Sequence, residues 1–166
     1  MNPTPLPLQA PASARAARYA DVERAIRALC DGETDAIAVM ATVVCELHHA
    51  FDYFDWTGFY RVVAPGQLAV GPYQGTHGCL RIPFDRGVCG AAARTGRTQL
   101  VPDVSAFPGH IACSSTTRSE IVVPVRAPSG RLVAVLDVDS DAPSAFTDVD
   151  REWLERIAAI VGALYD

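Results

Sequence analysis

The chain has 166 residues, enough for one domain with a sizeable core. No stretch approaches the ~20 consecutive apolar residues of a membrane helix. Its net charge is −5, and all its basic residues are arginines, scattered along the chain. A nucleic-acid partner is therefore not expected, and without lysine there is no amine for a Schiff base or a phosphate-binding P-loop.

Residues 1–14 are rich in proline and alanine, without the basic start and apolar stretch of a secretory signal. They read as a flexible arm, and the chain is expected to stay in the cytoplasm, with a single domain over residues 15–166. Helical spacing of apolar residues predicts one helix from about Ala14 to Leu29 and another from about Thr34 to Ala50, broken at Asp31 and Gly32. From Phe54 the pattern becomes strand-like, in DWTGFYRVV and QLAVGPYQG, and Ala64-Pro65-Gly66 between them predicts a hairpin. Trp56 and Tyr60, four apart, share one face of the first strand, as an aromatic wall or as core.

The small-residue run RGVCGAAARTG reads as a short helix ended by Gly96, and TQLVPDV as a short strand. The following connection, about Asp103 to Ser119, is long for a compact domain and is a candidate functional loop. SEIVVPVRAPSGRLVAVLDVDS then predicts two strands around a two-residue turn at Ser129-Gly130. That register pairs Ile121 with Val138, Val123 with Leu136 and Val125 with Ala134 on a core face. The opposite face carries Glu120 across from Asp139 and Val122 across from Asp137, so three carboxylates converge. The chain closes with a helix whose start, Thr147 to Asp150, fits a capping box, and helices flanking a mostly antiparallel sheet give an α+β fold.

Like charges on neighbouring strands repel, so Glu120, Asp137 and Asp139 contribute nothing to a sheet as structure. They suit a site that neutralises a cationic ligand group while one carboxyl is held protonated as a proton donor. A solvated outer face is the plainer alternative.

The chain has five cysteines, an odd number, and no C-x-x-C pair, which argues against a secreted disulfide scaffold. Cys30 and Cys45 lie among helical apolar residues and read as small buried thiols. Cys45 with His48 and His49 is a weak zinc pattern, as are the widely spaced Cys79, Cys89 and Cys113 with His77 or His110, and no metal is expected. Those three cysteines sit in or beside glycine-rich or polar connections and better suit redox chemistry, in which one thiol attacks and a second condenses with it. Cys89, near a helix start, is expected to have its pKa lowered by the helix dipole, which makes it a rival nucleophile.

Together WTGFY at Trp56 to Tyr60, VGPYQG at Val70 to Gly75, the three cysteines in HGCL, RGVCG and HIACS, and RSEIVVPV followed by LDVDS resemble the free methionine-(R)-sulfoxide reductases, stand-alone GAF domains. The likeness runs from about Asp31 to the C-terminus. It implies a GAF fold, reduction of the R epimer of free methionine sulfoxide and recycling by thioredoxin, with no cofactor. It implies Cys113 as nucleophile, Cys79 as resolving thiol and Cys89 as an alternative resolving thiol. Glu120, Asp137 and Asp139 would hold the substrate, and Trp56 and Tyr60 would line its methyl end; the chemistry then asks for a protonated carboxyl, taken as Glu120, to donate to the sulfoxide oxygen as Cys113 attacks sulfur. The competing readings are a GAF module that only binds a small molecule and a thiol-based redox sensor. Pairing of GAF domains through terminal helices suggests a homodimer.

Overall fold

A computed structural model describes residues 4–166. Six strands form one sheet in the order β3-β2-β1-β6-β5-β4, every neighbouring pair antiparallel. In chain order the elements are α1 (Ala12–Leu29), α2 (Ala36–Ala50), β1 (Trp56–Ala64), β2 (Gln67–Gln74), β3 (Arg81–Pro83), α3 (Gly87–Thr95), β4 (Gln99–Val101), β5 (Ser119–Arg126), β6 (Leu132–Ser140) and α4 (Asp148–Gly162). The expected α+β architecture is thus present.

Local chemistry sets most of the boundaries. Asp35 caps α2 by accepting from the Ile37 and Ala38 amides, and Thr147 with Asp150 forms the expected capping box on α4. Gly96 ends α3 in the left-handed conformation, at φ 65°. The β5–β6 pairing follows the predicted register from Ser119 opposite Ser140 to Val125 opposite Ala134. Beyond it, Arg126 faces Leu132 across a bulge. The turn is longer than predicted because the Gly130 amide closes on the Ala127 carbonyl and Pro128 has no amide to donate to a ladder.

Alternation along β1, β5 and β6 divides the core. On one face Phe59, Ile121, Val123, Leu136 and Val138 pack under α2 and α4, and α1 joins the same core by packing on those two helices. On the other, Trp56, Tyr60, Val122 and Val135 pack with Val88 and Cys89 of α3. This second face carries the three carboxylates, under α3 and the long loop.

Three expectations need correction. Residues 4–11 are docked rather than a free arm: the Leu6 amide donates to the Ala50 carbonyl at 2.8 Å, the Asp52 amide to the Leu6 carbonyl at 3.0 Å, and Arg15 to the Leu8 carbonyl at 2.7 Å. Leu6 and Leu8 supply the reason, since both pack against the main core. Residues 1–3 lie outside the described residues. Cys30 and Cys45 are only partly buried, because each sits at the margin of the α1 and α2 core stripes. The short edge strand β3 was not expected, its pattern being too brief to show periodicity.

Candidate active site

Three neighbouring strands present the site in rows. Across one row Glu120 of β5 faces Asp139 of β6, which faces Trp56 of β1; in the next, Val122 faces Asp137, which faces Gly58. Two-residue alternation puts the three carboxylates and Trp56 on the same side. Glu120 and Asp137 are buried, at 6% and 5% exposure, while Asp139 is partly exposed at the rim.

Trp56 and Tyr60 are buried in the core of this face and also line the pocket. The rings of Trp56 and Tyr60 stack with centroids 5.7 Å apart, and Trp56 stacks again on Tyr73 at 5.3 Å. The Trp56 indole N–H donates to the Thr76 carbonyl at 2.9 Å, which anchors the ring. Gly58 lets the ring lie across the strand: a Cβ there would come within 2.5 Å of the Trp56 ring and of Tyr73 Cβ. In the sequence this glycine stands only as part of WTGFY, with no spacing that marks it as a site residue.

The long loop closes the pocket from above. It includes a single 3-10 turn, Val104–Ala106, and is tied down at its ends by the Val104 amide to the Arg118 carbonyl, at 3.0 Å, and the Arg118 amide to the Ser140 carbonyl, at 2.8 Å. Midway, the Gly87 amide at the start of α3 donates to the Gly109 carbonyl at 2.9 Å. The loop thereby brings Cys113 to the pocket mouth, where it is disulfide-bonded to Cys79 with Cα atoms 5.4 Å apart. This pairing takes both thiols out of any zinc set containing Cys79, Cys89 and Cys113 together.

Cys89 is different. It is free and buried, and its thiol donates to Asp137 Oδ2 at 3.3 Å. Burial pushes its pKa well up, and the neighbouring Asp137 and Glu120 charges push it further. The helix-dipole expectation therefore fails at this position, because desolvation and two carboxylates outweigh about half a unit charge at a helix end.

Burial likewise raises all three acids. The Asp137 carboxyl goes up to about 7 by desolvation, partly offset by hydrogen bonds from Cys89 and Glu120. Glu120 is held well above the carboxylate range by burial and then by the charges of Asp137 and Asp139. Asp139 is also raised, by desolvation first and then by Asp137. Asp137 Oδ1 is buried with no hydrogen-bond donor, and Glu120 can donate to Asp137 only in its protonated form. The cluster thus holds protons near neutral pH, as a site donating to an incoming acceptor requires.

Several lining residues were missed as site residues. His110 places Nε2 3.8 Å from Glu120 Oε2, and His77, Ile111 and Thr117 also border the pocket. The two histidines had been weighed only as metal ligands, and nothing in the spacing of Ile111 or Thr117 marks them. Every sequence-predicted site residue except Cys79 lines the cavity, and the disulfide brings Cys79 to its edge.

This sheet, with helices against both faces and a pocket between one face and a long loop, defines an α+β domain. The family model described as GAF domain matches residues 35–164. The chain is 40% identical to the free methionine-R-sulfoxide reductase of Escherichia coli, over 85% of this chain and 84% of that protein. It is 40% identical to the Saccharomyces cerevisiae protein of the same name, over 80% of this chain and 77% of that one. It also resembles the crystal structure of the Neisseria meningitidis free methionine-R-sulfoxide reductase in complex with its substrate, with a TM-score of 0.86 and 43% identity, over 91% and 90% of the two chains. The chain belongs to the free methionine-R-sulfoxide reductase family of GAF-domain proteins.

Proposed function

We propose that this protein reduces the R epimer of free methionine sulfoxide to methionine, with Cys113 as the attacking thiol. The observation that carries this reading is the placement of the Cys79–Cys113 disulfide over a pocket walled by Trp56 and Tyr60 and floored by Glu120, Asp137 and Asp139. Membership of the reductase family supports it.

The substrate has an ammonium group, a polar S=O and an apolar methyl, and the pocket offers a counterpart to each. Asp137 and Asp139 neutralise the ammonium, which a peptide-bound methionine lacks. The Trp56 and Tyr60 rings take the thioether end, where sulfur and methyl against an aromatic ring contribute about 0.3–1.5 kcal/mol. Glu120, protonated, donates to the sulfoxide oxygen as the Cys113 thiolate attacks sulfur. The ammonium charge favours that thiolate, which the carboxylates alone would disfavour. Net, oxygen passes from methionine sulfoxide to the Cys113 sulfur: methionine sulfur gains two electrons and Cys113 becomes a sulfenic acid. The Cys79 thiol then displaces the hydroxyl as water and forms the disulfide. Cys89 keeps its proton and its bond to Asp137, so Cys79 is the resolving thiol.

Thioredoxin supplies the two electrons that reopen the disulfide, and no resident cofactor takes part. This requirement suits a reducing compartment such as the cytoplasm. Among the described residues no helix is long and apolar enough to cross a membrane. Pairing of two copies through the terminal helices is compatible with this cycle, since the pocket lies on the opposite sheet face. With the disulfide closed the cavity measures about 30 Å³, and in the proposed cycle reduction frees Cys113 before the substrate enters.

Thioredoxin-coupled turnover of separate R and S epimers of free methionine sulfoxide tests this reading. Consumption of the R epimer alone, abolished by Cys113→Ser, is expected. Unchanged turnover in Cys113→Ser would overturn the assignment.

A further inference from the structure

The disulfide has to be opened from outside, and the surface beside it is apolar and open. Leu80 directly follows Cys79 and is 74% exposed, the most open large apolar side chain among the described residues. It leads into β3, a terminal strand of the sheet. The Val70 amide donates to the Leu80 carbonyl at 3.1 Å and the Phe84 amide to the Gly66 carbonyl at 2.9 Å, with Ile82 opposite Leu68 between them. That alternation turns the Arg81 N–H and C=O away from β2, toward the open edge. An extended segment of another protein can pair there, two positions along the chain from Cys79.

Charge narrows the partner. From Cys79 to Arg94 the chain carries Arg81, Arg86 and Arg94 against Asp85 alone, although its net charge is −5. Arg81 and Arg86 are exposed, and none of the three arginines pairs with a carboxylate among the described residues. A positive rim around an open leucine suits a partner with an acidic rim around an apolar patch. A small patch is enough, because transient redox encounters bury less than about 1,200 Å² in total.

We propose that Leu80, Arg81 and the open edge of β3 are the docking surface for the acidic face of thioredoxin, whose thiolate attacks the Cys79 sulfur. The identity of the partner rests on the recycling step proposed above. Cys113 lines the pocket and Cys79 does not, so a thiolate seated at Leu80 meets Cys79 first. Its sulfur bonds to Cys79 as the Cys79–Cys113 bond breaks, and Cys113 leaves with the bonding pair and takes up a proton. The second thiolate of the dithiol then displaces Cys79, so thioredoxin ends as a disulfide, oxidised by two electrons, and both cysteines end as thiols.

The test needs no methionine sulfoxide, so its failure is distinct from failure of the proposed reaction, which dithiothreitol-driven turnover checks separately. The oxidised full-length chain is mixed with reduced thioredoxin or with dithiothreitol, and opening of the disulfide is followed by thiol labelling and mass spectrometry. The second-order rate constant should be far larger with thioredoxin and should fall as salt rises. Leu80→Ser should lower the thioredoxin rate about tenfold and Arg81→Glu at least about threefold, with the dithiothreitol rate unchanged in both. Leu29→Ser, at a leucine of α1 that is 64% exposed, should change neither rate. A thioredoxin whose second cysteine is serine should be trapped on Cys79, with Cys113 free. An undiminished thioredoxin rate in Leu80→Ser or Arg81→Glu, an equal loss in Leu29→Ser, or trapping on Cys113 overturns the proposal. So does a natural chain that thioredoxin opens no faster than dithiothreitol does.

Discussion

Replacing Asp137 with Asn should make the folded protein more stable at neutral pH while impairing its activity. The Asp137 carboxyl titrates at about 7 in the folded chain, against about 3.9 for an aspartate in an unfolded one. Between those values the folded state binds more protons than the unfolded state, so stability falls as pH rises through this window, by up to about 1.4 kcal/mol per pH unit. From pH 5 to pH 7 the loss attributable to this group is about 2 kcal/mol, and above pH 7 it levels off. Asn cannot ionise, so the variant escapes that loss. It also relieves Glu120 and Asp139 of a like charge, an effect of the same sign. Any packing cost of the amide is independent of pH and cancels from the slope. Denaturant unfolding of both proteins at several pH values, with the disulfide intact, measures the difference. The gap should widen in favour of Asp137→Asn by about 2 kcal/mol from pH 5 to pH 7, or about 4–8 °C in Tm for a chain of this size. A flat gap, or one that narrows, would refute the assignment of a buried, protonatable carboxyl here.

The remaining predictions concern the scaffold. Gly58→Ala should cost about 1–3 kcal/mol and lower kcat/KM, because the new methyl collides with the Trp56 ring and Tyr73; unaltered near-ultraviolet circular dichroism and kinetics would contradict the steric argument. Asp150 accepts from Arg15 at 2.7 Å, Tyr19 at 2.8 Å and Tyr53 at 3.1 Å, so Asp150→Ala leaves Arg15 buried without its partner. Urea unfolding should show a loss of about 3–5 kcal/mol, and a loss under 1 kcal/mol would mean that the network relaxes into water. Deleting residues 1–10 should destabilise the domain by about 2–4 kcal/mol, through lost burial of Leu6 and Leu8 and lost hydrogen bonds to Ala50 and Asp52. Unchanged stability on deletion would restore the flexible-arm reading.

How much of the site was legible depends on how far apart in sequence its parts lie. The acidic patch could be read because β5 and β6 are joined by a short turn, and a period of two then assigns every residue between them to a face. Even there the turn itself differed, since Pro128 and Gly130 lengthened it. The bulge falls after Val125, so the pairing of Glu120, Asp137 and Asp139 was unaffected. The histidines were not legible as pocket residues, because His77 and His110 reach it from two connections with no periodicity to aim them.

The sequence by itself determined the helix caps, the strand faces, the gathering of three carboxylates on one surface and the family likeness. All of these rest on local stereochemistry or on spacing along one hairpin. Tertiary structure decided which thiols meet, because Cys79 and Cys113 are 34 residues apart and are brought together only by the loop folding over β1 and α3. It also decided protonation. The helix start that would have lowered the Cys89 pKa lies against Asp137 and Glu120, and desolvation together with their charges reverses the sign. Burial is a property of the whole fold, and it is what converts a line of acids on a strand pair into a proton-holding pocket.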